Sequence, residues 1–180
     1  MYHPSRSLAA FTLVVASFAT PVAALPDDRD QPIRINADQL LRDDKLGLTV
    51  YTGEVHMSQG SLHIAADQIT IYGSGENADR IVAEGQPATL EQQPDPDKGR
   101  VHARADTIEY YQIEERVHLE GNASIEQDGA TVSGETIDYF IAEQLVKADS
   151  NLTREGNRVQ VVIPARTLNH TEDRTTPLLD

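Results

Sequence analysis

The sequence has no cysteine, few basic residues and, beyond its start, no apolar run long enough to cross a bilayer. Without cysteine the fold stands on its core alone, and both disulfides and thiol chemistry are excluded. Lys and Arg number 15 against 29 Asp and Glu, for a formal charge of −14. Such a chain is a poor nucleic-acid binder, because phosphate neutralisation needs clustered cations. It is equally unsuited to docking on an anionic membrane surface, so an anionic lipid would have to be gripped by its apolar part. Neither a Gly-x-Ser-x-Gly elbow nor a Gly-rich phosphate loop is present, which leaves hydrolase chemistry without its usual framework. The expectation is a protein that is not an enzyme, with no catalytic residue, no metal and no cofactor.

What is present begins with a secretory pattern. Arg6 precedes the apolar stretch Ser7-Leu-Ala-Ala-Phe-Thr-Leu-Val-Val-Ala-Ser-Phe-Ala19, followed by small residues ending at Ala24. The stretch is too short for a membrane anchor and reads as a cleavable signal peptide over 1–24. Removing Arg6 takes the net charge from −14 to −15. Residues 25–168 then form one domain by length. From Asn169 to Asp180 the pattern is lost, and a loose tail is expected.

The chain repeats itself. Asp38 to Ile71 lies over Asp106 to Tyr139 at one constant offset: Asp38 on Asp106, Gly53 on Gly121, Met57 on Ile125, Ile64 on Val132 and Ile69 on Ile137. A four-residue shift follows, placing an insertion at Ser74-Gly-Glu-Asn77 that reads as a loop. Inside the long unit sits a shorter one, a small residue and an acid leading to Ile and an aromatic. It occurs at Ala66 to Tyr72, Ala105 to Tyr111 and Gly134 to Phe140, with weaker copies at Ala37 to Leu40 and Ala165 to Leu168. Hairpins precede the full copies, turning near Gln59-Gly60, within Pro94 to Gly99 and at Asp128-Gly129.

Between these turns apolar and polar residues alternate. Val55 and Met57 oppose Glu54, His56 and Ser58; Leu62 and Ile64 oppose His63; Val101, Ala103 and Ala105 oppose His102 and Arg104. Val117 and Leu119 oppose His118, and Val159, Val161 and Ile163 close the series. Period two means strands with one buried face. A helix through Leu62, Ala65, Ala66 and Ile69 would expose Ile64 and Ile71, so strand prevails. Many short strands in repeating order bury a face only by stacking. The fold class expected is therefore all-β: an elongated stack of antiparallel hairpins in two facing sheets, open at its ends.

Little in this pattern looks catalytic. Asp38, Asp67, Asp106 and Glu135 recur because the repeat recurs, and read as turn residues ahead of strands. His56 and His63 lie on opposite arms of one hairpin, but no third zinc ligand is near. The inward small residues Ala66, Ala83, Ala88, Ala103, Ala105, Ala123, Ala130 and Gly134 allow two readings. Either the sheets approach closely there, or the small side chains leave an apolar slot.

Gln31-Pro-Ile-Arg-Ile-Asn-Ala-Asp38, Tyr51-Thr-Gly-Glu-Val-His-Met-Ser-Gln-Gly60, Gly85-Gln-Pro-Ala-Thr-Leu90 and Leu119-Glu-Gly-Asn-Ala123 together resemble a known family. It is that of periplasmic lipopolysaccharide-transport proteins in the organic-solvent-tolerance (OstA-like) superfamily, and the resemblance covers about residues 31–168. It implies an open β-jellyroll in the periplasm that shelters the acyl chains of lipid A between its sheets. It also implies head-to-tail homo-oligomers, and partners that are an inner-membrane bitopic component and an outer-membrane jellyroll component. By position, Ile33 and Ile35 match the family's first strand, and Leu90, Ile108 and Tyr110 its central groove. Leu48, Val50, Met57, Ile64, Val117, Leu119, Ile125, Val132 and Ile137 are expected on the same lipid-facing surfaces. The oligomer edges are expected at Ile33, Ile35, Val159, Val161 and Ile163. Two alternatives remain: a related jellyroll component that keeps its membrane anchor, and a structural periplasmic adaptor with a filled core.

Overall fold

A computed structural model describes residues 28–74, 77–150 and 158–165. The expected signal peptide and the expected tail from Asn169 lie outside these residues, as does most of the weak copy at Ala165 to Leu168. A 3₁₀ turn, Asp28–Asp30, leads into strands β1 (Arg34–Asn36), β2 (Gln39–Asp43), β3 (Leu48–Gln59), β4 (Leu62–Ser74) and β5 (Asn77–Gln92). Strands β6 (Val101–Tyr111), β7 (Arg116–Gln127), β8 (Ala130–Phe140), β9 (Leu145–Asp149) and β10 (Gln160–Val162) follow. All pair antiparallel in one sheet, in the order β1-β3-β4-β5-β6-β7-β8-β10, with β2 also on β3 and β9 also on β8. The insertion expected as a loop falls at the connection of β4 to β5, whose last pair is Ser74 with Asn77; residues 75 and 76 lie outside the described residues.

This sheet is folded over on itself. Gln59 lies level with the start of β6, while Gln112 follows its end. A straight strand of that length would hold them roughly 35 Å apart, yet Gln112 Nε2 donates to Gln59 Oε1 at 3.1 Å. The bend falls where register slips between neighbours: Thr52/Val55, Ala65/Gln68, Glu84/Ala88, Arg104/Thr107 and Glu120/Ala123. These slips are β-bulges, each of which kinks its strand, and aligned across the sheet they make one crease. Two leaves result. Leaf I holds β1, the 55–59, 62–66, 88–92, 101–105, 123–127 and 130–134 segments, and β10. Leaf II holds β2, the 48–52, 68–74, 77–84, 107–111, 116–120 and 136–140 segments, and β9.

The crease explains the repeat. Gly53 and Gly121 have φ of 85° and 77°, and the residues after them, Glu54 and Asn122, are also left-handed. A side chain at Gly53 would collide with the Asp38 carboxylate, and one at Gly121 with that of Asp106. The Asp38 N–H donates to Thr52 O and Gly53 O at 3.1 and 3.2 Å, and Asn122 Nδ2 donates to Asp106 Oδ2 at 2.9 Å. Glycine is required by conformation and by close approach together. Asp67, Asp106 and Glu135 are therefore not turn residues ahead of strands. They sit inside continuous strands at the crease, and only Asp38 lies between two strands.

The inward face of each leaf is apolar. In leaf I a cross-strand row runs Ile35, Met57, Ile64, Leu90, Ala103, Ile125 and Val132. In leaf II the corresponding row is Tyr51, Ile69, Ala83, Ile108, Leu119 and Ile137. Most of these residues form a single core. Ala66, Ala88, Ala105, Ala123 and Gly134 line the inner side of the crease, where the leaves converge, so here small residues mean close approach.

Candidate functional site

The interior opens at the end where the chain enters. Leaf I ends there with β1 and leaf II with β2, and between them lies a cavity of about 450 Å³. Its walls include Ile33 and Ile35 on one side and Leu40, Thr49, Tyr51, Ile71 and Ala78 on the other. Ile33, Ile35, Tyr51 and Ile71 pack against the core, so the cavity is the mouth of the apolar interior. Arg42 and Asp44, ion-paired and exposed, also line the cavity, so its walls are mixed. Only the part continuous with the core offers an alkyl chain the roughly 25 cal/mol per Å² of apolar burial.

Of the residues expected to face inward, Met57, Ile64, Leu90, Ile108, Tyr110, Val117, Leu119, Ile125 and Ile137 are buried in the core, with Ile33, Ile35 and Val132 packed against it. Leu48 and Val50 are corrections. Val50 stands opposite Thr70, and Leu48 opposite Tyr72, in the rows that carry Glu109 and Tyr111 on the outer face. Leu48 still contributes to the wall of the mouth. The inward positions belong to Thr49 and Tyr51, which the repeat's own offset aligns with Val117 and Leu119. That alignment could have found them, and it also sets Leu40 on the inward Ile108; nothing comparable marks Ala78.

At the opposite end β10 pairs with β8 through Val161↔Val132. Val159, Val161 and Ile163 were expected to bury one face and do not: they are 38%, 57% and 52% exposed. Among the described residues β10 pairs with β8 alone, and none of them covers the apolar face that its alternation prepares.

Other candidate chemistry is weaker. His56 pairs with Ala65 and His63 with Ser58, so the two imidazoles are diagonal on the outer face, not opposite. No cluster of three or more His, Asp or Glu placed to hold a metal occurs among the described residues. A larger cleft of about 860 Å³ follows the outside of the crease, but Asp67, Glu84, Arg104 and Asp106 line it. Charge and openness suit that cleft to water. Leaf II carries on its outer face a ladder of rings and cations: Arg80 lies 4.2 Å from the Tyr72 ring, Arg116 4.1 Å from Tyr111 and Lys147 4.8 Å from Phe140. Glu109, Glu114 and Asp138 neutralise the two arginines, so this face braces the sheet and leaves little net charge for a ligand.

Fold and mouth together define a class, the folded-over antiparallel β-jellyroll whose apolar interior opens at the mouth. The family described as LptA/(LptD N-terminal domain) LPS transport protein matches residues 34–145, and the chain belongs to it. The lipopolysaccharide export system protein LptH of Pseudomonas aeruginosa is 37% identical over 158 residues, 85% of this chain and 90% of that protein. The lipopolysaccharide export system protein LptA of Escherichia coli K12 is 32% identical over 171 residues, 93% and 89% of the two chains. The crystal structure of LptH superposes with a TM-score of 0.71, covering 77% of this chain and 99% of that one.

Proposed function

We propose that this chain is a periplasmic lipopolysaccharide-transport protein that holds the acyl chains of lipid A between its leaves. In this reading it works in head-to-tail assemblies between the inner and outer membranes and catalyses no reaction. Its partners are a bitopic inner-membrane component and an outer-membrane jellyroll component of the same machinery. The observation that carries the reading is the apolar interior that reaches the surface at the mouth framed by Ile33, Ile35, Leu40 and Tyr51. Each acyl methylene transferred from water into such an interior contributes about 0.8 kcal/mol. Two apolar end strands, β1 backed by Met57 and β10 exposed beyond Val132, support stacking of copies, since unpaired edges template strand addition.

A photoreactive side chain at Ile35, Leu90 or Ile108 is expected to crosslink lipopolysaccharide, and the same probe at outward Glu54 or His118 is not. Equal crosslinking from both faces would mean surface adsorption. One observation favours the adaptor reading: at the middle of the core Ile64, Leu90, Ile108 and Leu119 are closed off from solvent. Absence of crosslinks from every inward position would decide for it.

A further inference from the structure

Polarity inside the leaves is graded. At the crease the inward residues are mostly small and apolar, and in the middle rows they are apolar and mostly large, with Ala83 and Ala103 the exceptions. At the seam, where the strand ends of the two leaves meet, polar groups join the apolar ones. Leaf I presents Gln59, Leu62, Gln92, Val101 and Gln127 in its last row, and leaf II presents Ile71, Ile81, Tyr110, Val117 and Tyr139. The crease is continuous backbone. The seam is joined by side chains, Gln112 to Gln59 and Lys98 to Gln144.

Two seam groups have their polar atoms buried without a partner among the described residues. Gln92 is 6% exposed; its Nε2 donates to Asp28 Oδ2 at 2.9 Å, but its Oε1 accepts nothing. Tyr139 is 3% exposed and its hydroxyl is likewise orphaned. A buried unpaired polar atom is costly, and native proteins keep few. One of these is an acceptor and the other can donate or accept. They stand on opposite leaves, at the level where the first polar side chains enter the apolar lining.

We infer that Gln92 and Tyr139 are specificity-determining residues that hydrogen-bond the polar linkages of a bound acylated amphiphile lying with its chains toward the crease. The assignment rests on the lipid-carrying function proposed above and adds to it the part of the ligand that is recognised. Lipid A fits: its chains hang on ester and amide linkages and carry hydroxyls, so a hydroxyl or amide N–H can donate to Gln92 Oε1. A linkage carbonyl can accept from the Tyr139 hydroxyl. A plain alkyl amphiphile offers neither.

The test compares capture of lipid A with capture of dihexadecyl phosphate, which is anionic and long-chained but lacks carbonyl, amide and hydroxyl groups. Wild-type full chain, Tyr139→Phe and Gln92→Met are measured with both. Tyr139→Phe deletes one unpartnered oxygen and keeps the ring, so its Tm should equal or exceed that of the wild type. Each variant should lose about two- to tenfold in lipid A capture, the worth of one hydrogen bond, and change by less than about twofold with dihexadecyl phosphate. Equal losses with both amphiphiles would reduce the residues to a structural role and overturn the assignment, as would no loss with lipid A. A wild type that captures dihexadecyl phosphate but not lipid A would also overturn it. Capture of neither would bring down the proposed function itself.

Discussion

Where the described chain enters, Ile33 and Ile35 lean on the core, and β1 and β2 frame a cavity. Where it leaves, Val161 and Val162 on a strand of three residues and Ile163 just after it are 57%, 62% and 52% exposed. Both ends are sheet edges, yet one is a mouth with its apolar residues already seated, and the other offers apolar residues with no seat among the described residues. Two like ends would pair face to face as readily as in file. Unlike ends would give a stack of copies a direction, and an exposed apolar edge strand is a hazard unless something covers it.

The largest expected effect separates the ends directly. Ile35→Asp puts a carboxylate against Met57 and should lower stability by about 2–4 kcal/mol, from lost burial and the cost of a desolvated charge. Val161→Asp, at a site already mostly exposed, should stay within about 0.5 kcal/mol of wild type. Urea unfolding of both variants measures this. Sedimentation over a range of concentrations should show Val161→Asp shifted toward monomer while Ile35→Asp is simply less folded. Equal destabilisation would mean that the C-terminal edge is core after all, and the polarity argument would fail.

Next in size is the crease. Gly53 and Gly121 occupy the same place in the two copies of the repeat and make the same approach to an aspartate. Gly53 abuts the short end strands, whereas Gly121 lies between the long strands β6 and β8. Gly121→Val should cost about 2–3 kcal/mol in strain and collision, and Gly53→Val less, because β1 and β2 can splay at the mouth. Thermal melts of the pair would show it; a larger loss at Gly53 would mean that the mouth is the rigid part.

These contrasts mark how far the sequence can be read. Period two and the hairpin turns locate nearly every strand, because a half-buried strand writes its burial into alternation. The offset of the repeat identifies Asp38 with Asp106 and Gly53 with Gly121, but not why, since a bulge inside a strand and a turn before one use the same residues. Leu48 and Val50 were misassigned because apolar type outweighed register. The repeat alignment places Thr49 and Tyr51 inward, and period two then sends Leu48 and Val50 out. Val159 to Ile163 alternate as buried strands do, and alternation cannot tell a face covered by the same chain from one awaiting another. The seam was invisible: Gln59, Gln92 and Gln127 are ordinary hairpin-end residues until the fold carries Tyr139 to the opposing leaf.

Of smaller effect is the outer ladder on leaf II, which braces the sheet toward the exit end. Arg116→Met removes a cation from the Tyr111 ring and two ion pairs from Glu114 and Asp138. A loss of about 1 kcal/mol is expected, the usual worth of one partly exposed cation–π contact with weak surface pairs. Lys147→Met, over Phe140 on end strand β9, should cost about half that. Chemical denaturation in low and high salt would separate the terms, and a loss at Lys147 exceeding that at Arg116 would contradict a brace weakening toward the edge.

The smallest effect concerns Tyr139, near the exit end on the strand that carries both β9 and β10. Burial pushes its phenol above the ordinary value of 10.0. Above pH 10 the unfolded chain therefore releases this proton while the folded chain keeps it. The unfolded state then binds fewer protons, so stability falls as pH rises, by at most about 1.4 kcal/mol per pH unit for one group. Below pH 10 both states hold the proton and the group adds no slope. Tyr139→Phe should therefore match the wild type near neutrality or exceed it slightly, and lose less stability between pH 9 and pH 11. Urea midpoints at both pH values give the difference of differences, in which the titration of every other group cancels. Parallel losses in the two proteins would mean that the Tyr139 hydroxyl ionises as freely folded as unfolded, and that the seam beside it is already wet.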